Sequence, residues 1–462
     1  MNQEVEKRRY EILNTSIWKL LFVVALPVVL NQLIVAFFAL FDTYFASLIG
    51  TSELGAVTFV APINTTVNAV ALGIGIAGTA LASKFIGLNE YHKAKKTIGN
   101  MITVVIIVVL VIVTSAFIYS HEILYSASLR GEQLEIADQY FKIVLIATPF
   151  IFLNNIHMSL FRAQGNTYRI LKIHGLSVVV KFGITYLLVV HTGAGVLGIA
   201  YSTIISGMFV SVFAIYDLFI KKTSLKIEAK DLAFDKQIVF PLLILALPIV
   251  TERSVQSFGH VLVNAYANSF GEAVLSGYGI TNRLNSVAFS SVSGIGVAVV
   301  SLISQNLALG HVKRIKEIIN KAMISGFIVA IVLISVVFLV SKDYAAFLSG
   351  DDQDVYRHTL NAISVYSISV IPFGIIQIIN GVYQGYKKTH YTMVVALSRL
   401  WVFRVFLIYL LVNYTELAEY SIWYGMLISN ILSAILSVII FFLDKDLRSI
   451  YKKKKEIVIS NI

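Results

Sequence analysis

KKTSLKIEAKDLAFDK, residues 221–236, is the longest polar connector in a chain of 462 residues, and it lies almost at the centre. On its N-terminal side, apolar stretches with polar breaks read as helices at 16–47, 52–85, 94–118, 131–163, 168–191 and 195–220. On its C-terminal side six more follow, at 237–270, 272–308, 314–341, 352–386, 389–413 and 420–443. A membrane-crossing helix needs about 20 mostly apolar residues, and every one of these stretches meets that length. Composition agrees: 57% of residues are hydrophobic and only 14% are charged, whereas a soluble domain carries roughly 25% charged residues to solvate its surface. The chain has no cysteine, which excludes disulfides, thiolate catalysis and cysteine-ligated metals. The expected fold is an all-α membrane protein of twelve transmembrane helices in two six-helix lobes. Residues 1–220 form the first lobe, 221–236 a cytoplasmic linker, 237–443 the second lobe and 444–462 a basic cytoplasmic tail.

Net charge is +11, from 37 basic and 26 acidic residues. Placement of the basic residues matters more than their excess. The N-terminus, the tail and alternate connectors hold 28, the other connectors hold only Arg130, Lys342 and Arg357, and six lie inside spans. Cytoplasmic loops carry the lysine and arginine excess, so both termini are expected in the cytoplasm, across an even number of spans. Such alternation argues against a nucleic-acid surface, which clusters basic residues on one soluble domain. The Lys452 to Lys455 run reads as a solvated tail facing anionic lipid.

The halves echo one another. Pro27, Gly50, Gly73, Gly75 and Ser83 recur 221 residues later as Pro248, Gly271, Gly294, Gly296 and Ser304, and Gln164-Gly165 recurs at 220 as Gln384-Gly385. Six spans per repeat make both halves enter the membrane in the same sense. The lobes are therefore parallel repeats related by a pseudo-two-fold axis along the membrane normal, enclosing a midplane cavity.

Several segments resemble multidrug and toxic compound extrusion (MATE) transporters, within the superfamily that also contains lipid-linked oligosaccharide flippases. They are LPVVLNQLIVAFFALFDTYFASLIGTSELGAVTF (26–59), GIGIAGTALASKFIGLNEYHKAKK (73–96) and FRAQGNTYRI (161–170), with NSFGEAVLSGYGITNRLNSVAF (268–289), SQNLALGHVKRIKE (304–317) and YQGYKKTHYTMVVALSRLWVFR (383–404) in the second half. Their order and spacing cover nearly the whole chain. The resemblance implies an exporter working by alternating access on a proton or sodium gradient. No cofactor is expected beyond that coupling ion, and no enzymatic activity, since no nucleophile and base or metal-ligand cluster recurs at useful spacing.

Asp42 lies inside the first span, about five residues from its outer end. A carboxylate there costs about 2.5 to 3.5 kcal/mol on insertion scales, so it needs a partner or water. It is either a protonatable coupling residue or a group hydrated at the outer mouth. Proton-coupled members of the resembled family carry an Asp at this motif position and pair it with Asn and Asp on the fifth span. Aligned on GVLGIAYST (195–203), this chain has Lys181 and Thr185 there instead. At 1.5 Å per residue, Asp42 lies about 8 Å and Lys181 about 15 Å below the outer ends of their helices, within reach of a long lysine side chain. An ion pair between Asp42 and Lys181 is expected.

Glu252 follows Pro248 by one turn and maps by the repeat onto Asn31. A Glu on the seventh span resembles the sodium-coupled branch, but the tenth span offers no second carboxylate. Two readings stay open, ion coupling or neutralisation of Arg283, Arg399 or Arg404. Arg253 points elsewhere, since helix neighbours are about 100° apart.

Asn155, Gln256 and Asn282 are candidate polar contacts for a substrate, Tyr140, Tyr278 and Trp401 aromatic ones, and Arg283, Arg399 and Arg404 cationic ones. Each polar group is also able to serve as an interhelical hydrogen bond worth about 0.6 kcal/mol. The expected partners are membrane lipids and an amphipathic small molecule, monocationic or neutral, with the protein a monomer in the plasma membrane. The runner-up is a flippase for an anionic lipid-linked precursor, because Glu252 and four arginines leave the second lobe near +3, unlike a cavity for cationic drugs.

Overall fold

The computed structural model describes residues 3–126 and 130–451; the Lys452 to Lys455 run lies outside the described residues. Twelve helices are long and apolar enough to cross a membrane, and no strand occurs among the described residues. Before the linker the spans are Ile17–Ile49, Thr51–Gly87, Tyr91–Ile118, Gly131–Gln164, Thr167–His191 and Gly195–Ile220. After it they are Lys236–Ser269, Glu272–Ala308, Val312–Ser349, Gln353–Gly385, His390–Tyr414 and Tyr420–Leu443. A helix at Gln3–Asn14, too polar to read as a span, precedes them. Spans 2, 4, 8 and 10 are the most buried, while 3, 5, 9 and 11 turn apolar side chains outward, so burial repeats with the six-span period.

The same period appears in atomic contacts between the halves. A Cβ added at Gly73 would come within 2.5 Å of Val250 Cγ2, and one added at Gly294 within 2.8 Å of Val29 Cα. These two contacts are images of each other at an offset of 221 in both partners. Glycine is required because the second and eighth spans each cross a span of the other half at backbone distance.

Packing does not divide the chain at the linker. Leu242, Leu245, Ala246 and Ile249 of the seventh span lie in the core of the second, third and fourth spans. Conversely, Leu20, Leu21, Val24 and Val28 of the first span pack with the eighth, ninth and tenth. Each crossing helix contains a proline, Pro27 or Pro248, near the end of this exchanged stretch. Proline has no N–H, so Pro27 frees the carbonyl of Val23; the Thr167 hydroxyl donates to the adjacent Val24 carbonyl at 2.9 Å and lies 3.5 Å from that of Val23.

Beyond the prolines the helices return to their own halves. Phe45 and Ala46 join a core made only of first-lobe residues, and Val263 and Ala267 join one made only of second-lobe residues. The lobes are thus zipped together on one face and separate on the other. Both ends of the described chain and the linker lie on the zipped face. There Arg9 donates to the Gly87 carbonyl at 2.8 Å, Gln305 to the Ala163 carbonyl at 2.6 Å, and Arg314 to the Ile12 carbonyl at 2.7 Å.

The linker is seated on the third span. Lys96 lies 2.6 Å from Asp235, the Asp235 N–H donates to Asn100 at 2.8 Å, and Thr103 donates to the Leu232 carbonyl at 2.6 Å. The Lys96 ammonium, with the Gln237 N–H, holds the Asp235 carboxyl below its usual range. The beginning of the expected tail is ordered as well. Asp444 caps a short helix, Lys445–Ser449, and receives Lys388 at 2.6 Å. Burial alone pushes the Asp444 carboxyl up; Lys388, the Leu447 N–H and the Tyr391 hydroxyl more than offset it and hold it low.

Candidate functional site

In the first lobe, Lys181 donates to Asp42 Oδ2 at 2.7 Å, joining the fifth span to the first. The lysine ammonium also lies 5.0 Å from the centre of the Phe38 ring, and Phe182 packs against Phe41 and Phe45 beside it. The lysine side chain is 7% exposed and the aspartate 20%, while Asp42 Oδ1 is buried with no hydrogen-bond partner. The pair is therefore a desolvated charge contact with one carboxylate oxygen left over. Thr185 does not join it: its hydroxyl lies 2.8 Å from the Lys181 carbonyl and 2.7 Å from Ser202 Oγ.

In the second lobe a cavity of about 280 Å³ opens between the seventh, eighth, tenth, eleventh and twelfth spans. Its walls carry Arg253, Arg399 and Arg404 together with His260, Gln256, Asn282 and the rings of Phe289, Tyr366 and Phe373. Gln32, from the first span, is its sole first-lobe contributor among the described residues. Arg404 donates to Ser429 at 3.2 Å and to Asn430 at 3.0 Å, both neutral acceptors on the twelfth span. Arg399 stands 5.5 Å from the centre of the Phe373 ring, and Arg253 Nε is buried with no partner.

The backbone explains how two arginines five residues apart face one cavity. On an α-helix they would diverge by about 140°. Ser398–Val405 is instead a π-helical segment, in which hydrogen bonds run between residues five apart and bring them to nearly the same side. Arg399 and Arg404 then both look inward, while Trp401 between them is 49% exposed and lies against Phe258 on the outside.

Glu252 makes no direct contact with Arg283, Arg399 or Arg404 among the described residues; its charge acts on Arg399 at longer range. No ion pair to Glu252 occurs among the described residues. Its Oε1 instead accepts from Asn380 at 3.1 Å and from Gln256 at 3.5 Å. Asn380 was not foreseen as a site residue. The signal was present as a polar stripe, Gln377, Asn380 and Gln384, at helical spacing on the tenth span, all three buried.

A second unforeseen cluster lies in the first lobe toward the zipped face. Buried Asp217 accepts from Arg169 at 2.7 Å and contacts His157 Nε2 at 2.9 Å. An acidic residue within the sixth span was the available signal.

Of the sequence-derived substrate contacts, Gln256, Asn282, Arg399 and Arg404 line the cavity. The others do not. Arg283 is exposed on the eighth span. Tyr278 lies behind the wall, fully buried, stacked on Trp423 and 3.3 Å from His260. Tyr140 is sealed in the outer core of the first lobe. Asn155 donates to the Ile151 carbonyl of its own helix at 2.9 Å, beside Gly75. Sequence spacing placed these residues within spans, but which face met the cavity depended on how the helices packed.

Comparison with known proteins is consistent with this architecture. A family model described as MatE matches twice, over residues 27–187 and 248–410, with starts 221 residues apart. The chain is 21% identical over 387 residues to the probable multidrug resistance protein YoeA of Bacillus subtilis, covering 82% of this chain and 83% of that protein. It is 23% identical over 388 residues to the multidrug export protein MepA of Staphylococcus haemolyticus, covering 83% and 85%. Among solved structures, the outward-facing conformation of a multidrug resistance MATE family transporter of the MOP superfamily superposes with a TM-score of 0.91 at 20% identity, covering 96% of this chain and 98% of that one.

Proposed function

The chain belongs to the MatE family, and we propose that it exports amphipathic organic compounds across the plasma membrane by alternating access, with the proton as coupling ion and Asp42 as its acceptor. Members of this family are multi-pass membrane transporters and not enzymes. Relatives named for multidrug export support a small-molecule substrate. The basic residues concentrated on the zipped face support placing that face, with both termini, in the cytoplasm. A single chain supplies both lobes, so a monomer suffices.

The observation that carries this reading is the buried Asp42–Lys181 pair, set in the lobe opposite the cavity but on the helix that reaches it. Gln32 in the cavity wall and Asp42 in the ion pair both belong to the first span. With the lobes apart on the outer face, a proton from outside reaches Asp42 and neutralises it. Lys181 then loses its counter-charge in a low-dielectric setting, which is costly, and the first and fifth spans rearrange. Because the first span also lines the cavity, that movement changes the substrate contacts. Release outward is thereby linked to proton binding, and by reciprocity substrate binding from inside favours proton release.

A sodium ion is the less suited alternative. It needs several oxygen ligands; on Glu252 and its two amide partners only Glu252 Oε2 and Asn380 Oδ1 are buried oxygens without a partner, while Glu252 Oε1 is taken by amide N–H groups of Asn380 and Gln256. The test is dye accumulation in everted membrane vesicles energised in turn by a pH gradient and a sodium gradient. Wild type responds to the pH gradient alone, and Asp42→Asn inserts normally but shows no gradient-dependent accumulation. Full transport by Asp42→Asn would end the proposal.

A further inference from the structure

Three guanidinium groups share the second-lobe cavity, and among the described residues no carboxylate lines it. Among the described residues none of Arg253, Arg399 and Arg404 makes an ion pair. Glu252, adjacent to Arg253 in sequence, is turned toward the tenth span and held there by amide donors. Among the described residues Arg404 donates to neutral oxygens, Arg399 lies on an aromatic face with the Glu252 charge acting on it at longer range, and Arg253 Nε has no partner. Like charges converging in a semi-enclosed, low-dielectric space repel strongly unless an anion enters. A π-helical turn, an irregularity with a cost of its own, is what aims two of them inward.

We infer that the transported substrate is an organic anion, with a phosphate or carboxylate group on an aromatic body, and that this cavity is its binding site. The inference rests on the export reading and adds the charge class of the substrate. Guanidinium forks match the planar oxygen pairs of carboxylates and phosphates and hold them through charge-assisted hydrogen bonds. The rings of Phe289, Tyr366 and Phe373 supply an apolar, stackable wall for the remainder of the molecule. A cationic drug would meet three guanidinium groups in the wall and no carboxylate among the described lining residues. The same oxygens could be presented by a free organic phosphate or by a lipid-linked pyrophosphate; the aromatic wall favours the former.

Riboflavin and riboflavin 5′-phosphate form a matched fluorescent pair that differs in the anionic group. Binding to the full-length protein in nanodiscs of zwitterionic lipid is measured by fluorescence anisotropy, with ethidium as the cationic comparison. The phosphate form is expected to bind at least tenfold more tightly than riboflavin, about 1.4 kcal/mol, and to weaken as salt is raised. Arg253→Gln and Arg399→Gln are each expected to remove most of that preference, and Arg399→Lys to restore part of it. Equal affinity for riboflavin and its phosphate, or tighter binding of ethidium, overturns the inference, and this wild-type comparison stands even if an arginine variant fails to fold. Binding of a polyprenyl pyrophosphate with none of riboflavin 5′-phosphate overturns the soluble anion in favour of a lipid-linked one. Binding needs no gradient, so the two proposals fail separately. Anion binding without gradient-driven movement sinks only the export reading, and gradient-driven export of cations alone sinks only this one.

Discussion

Asp42 and Lys181 each lose water on entering the first lobe, and each is tolerated only because of the other. Removing one partner of a buried pair leaves an uncompensated charge, at a cost on the order of 3 kcal/mol, whereas removing both leaves none. Lys181→Met is therefore expected to lower thermal stability in detergent substantially, and Asp42→Asn with Lys181→Met to recover most of it. Neither restores proton coupling. A thermal-shift series over the two single variants and the double variant measures the interaction as a double-mutant cycle. Additive effects would show that the contact carries no energy. Lys181 was legible in the sequence as a charge within reach of Asp42, since both were rare ionisable residues inside apolar runs. Asn380 was not, because a neutral amide in a span has many equivalent uses until its neighbours are known.

At the scale of elements, the eleventh span depends on an irregular turn. Deleting Val402, which is exposed on the outside of the π segment, leaves Arg399 and Arg404 four residues apart, about 40° on an α-helix, so the helix relaxes to α geometry with both arginines still on one side. The expected result is unchanged helical content by circular dichroism with the cavity's anion preference kept, whereas loss of that preference would show that the π turn itself is needed. The linker provides a second case. The folded Asp235 carboxyl titrates below its unfolded value, so its contribution is complete above the usual carboxylate range near pH 4 and disappears as pH falls through the depressed value. Hydrogen exchange of residues 221–236 should accordingly show protection that is constant from pH 7 down to about 5 and declines below about 4. Asp235→Asn should lack that dependence and exchange faster at pH 7. The linker's existence was plain from its polarity, but its docking on the third span was not, because the partners Lys96, Asn100 and Thr103 lie more than a hundred residues away in sequence.

The whole molecule is zipped on the face of its termini and parted on the other, and alternating access requires the converse state. The chain contains no cysteine, so pairs of spin labels can be placed without background. Tyr119→Cys with Tyr414→Cys reports the outer ends of the two lobes, and Tyr168→Cys with Leu443→Cys the face of the termini; all four residues are exposed. Double electron–electron resonance distances in the two pairs should change in opposite senses between proton-loaded and substrate-loaded protein. Changes in the same sense would indicate swelling of the whole bundle and not rocking. Exchange of the inner halves of the first and seventh spans between the lobes makes such rocking concerted, since neither lobe moves without carrying part of a helix packed in the other.

Twelve spans, their division by residues 221–236 and the 221-residue repeat were determined by the sequence alone. Helices in lipid must satisfy their backbone internally and expose apolar surface, and both demands are written residue by residue in hydropathy and punctuation. Tertiary structure alone decided which side chains meet. It set Glu252 toward Asn380 and away from the arginines, sent Trp401 to the outside, and turned Arg399 and Arg404 onto one wall. Those outcomes depend on helix rotation, on a local change of helical pitch and on crossings between distant spans. Such geometry is fixed by packing against partners whose positions a linear pattern does not contain.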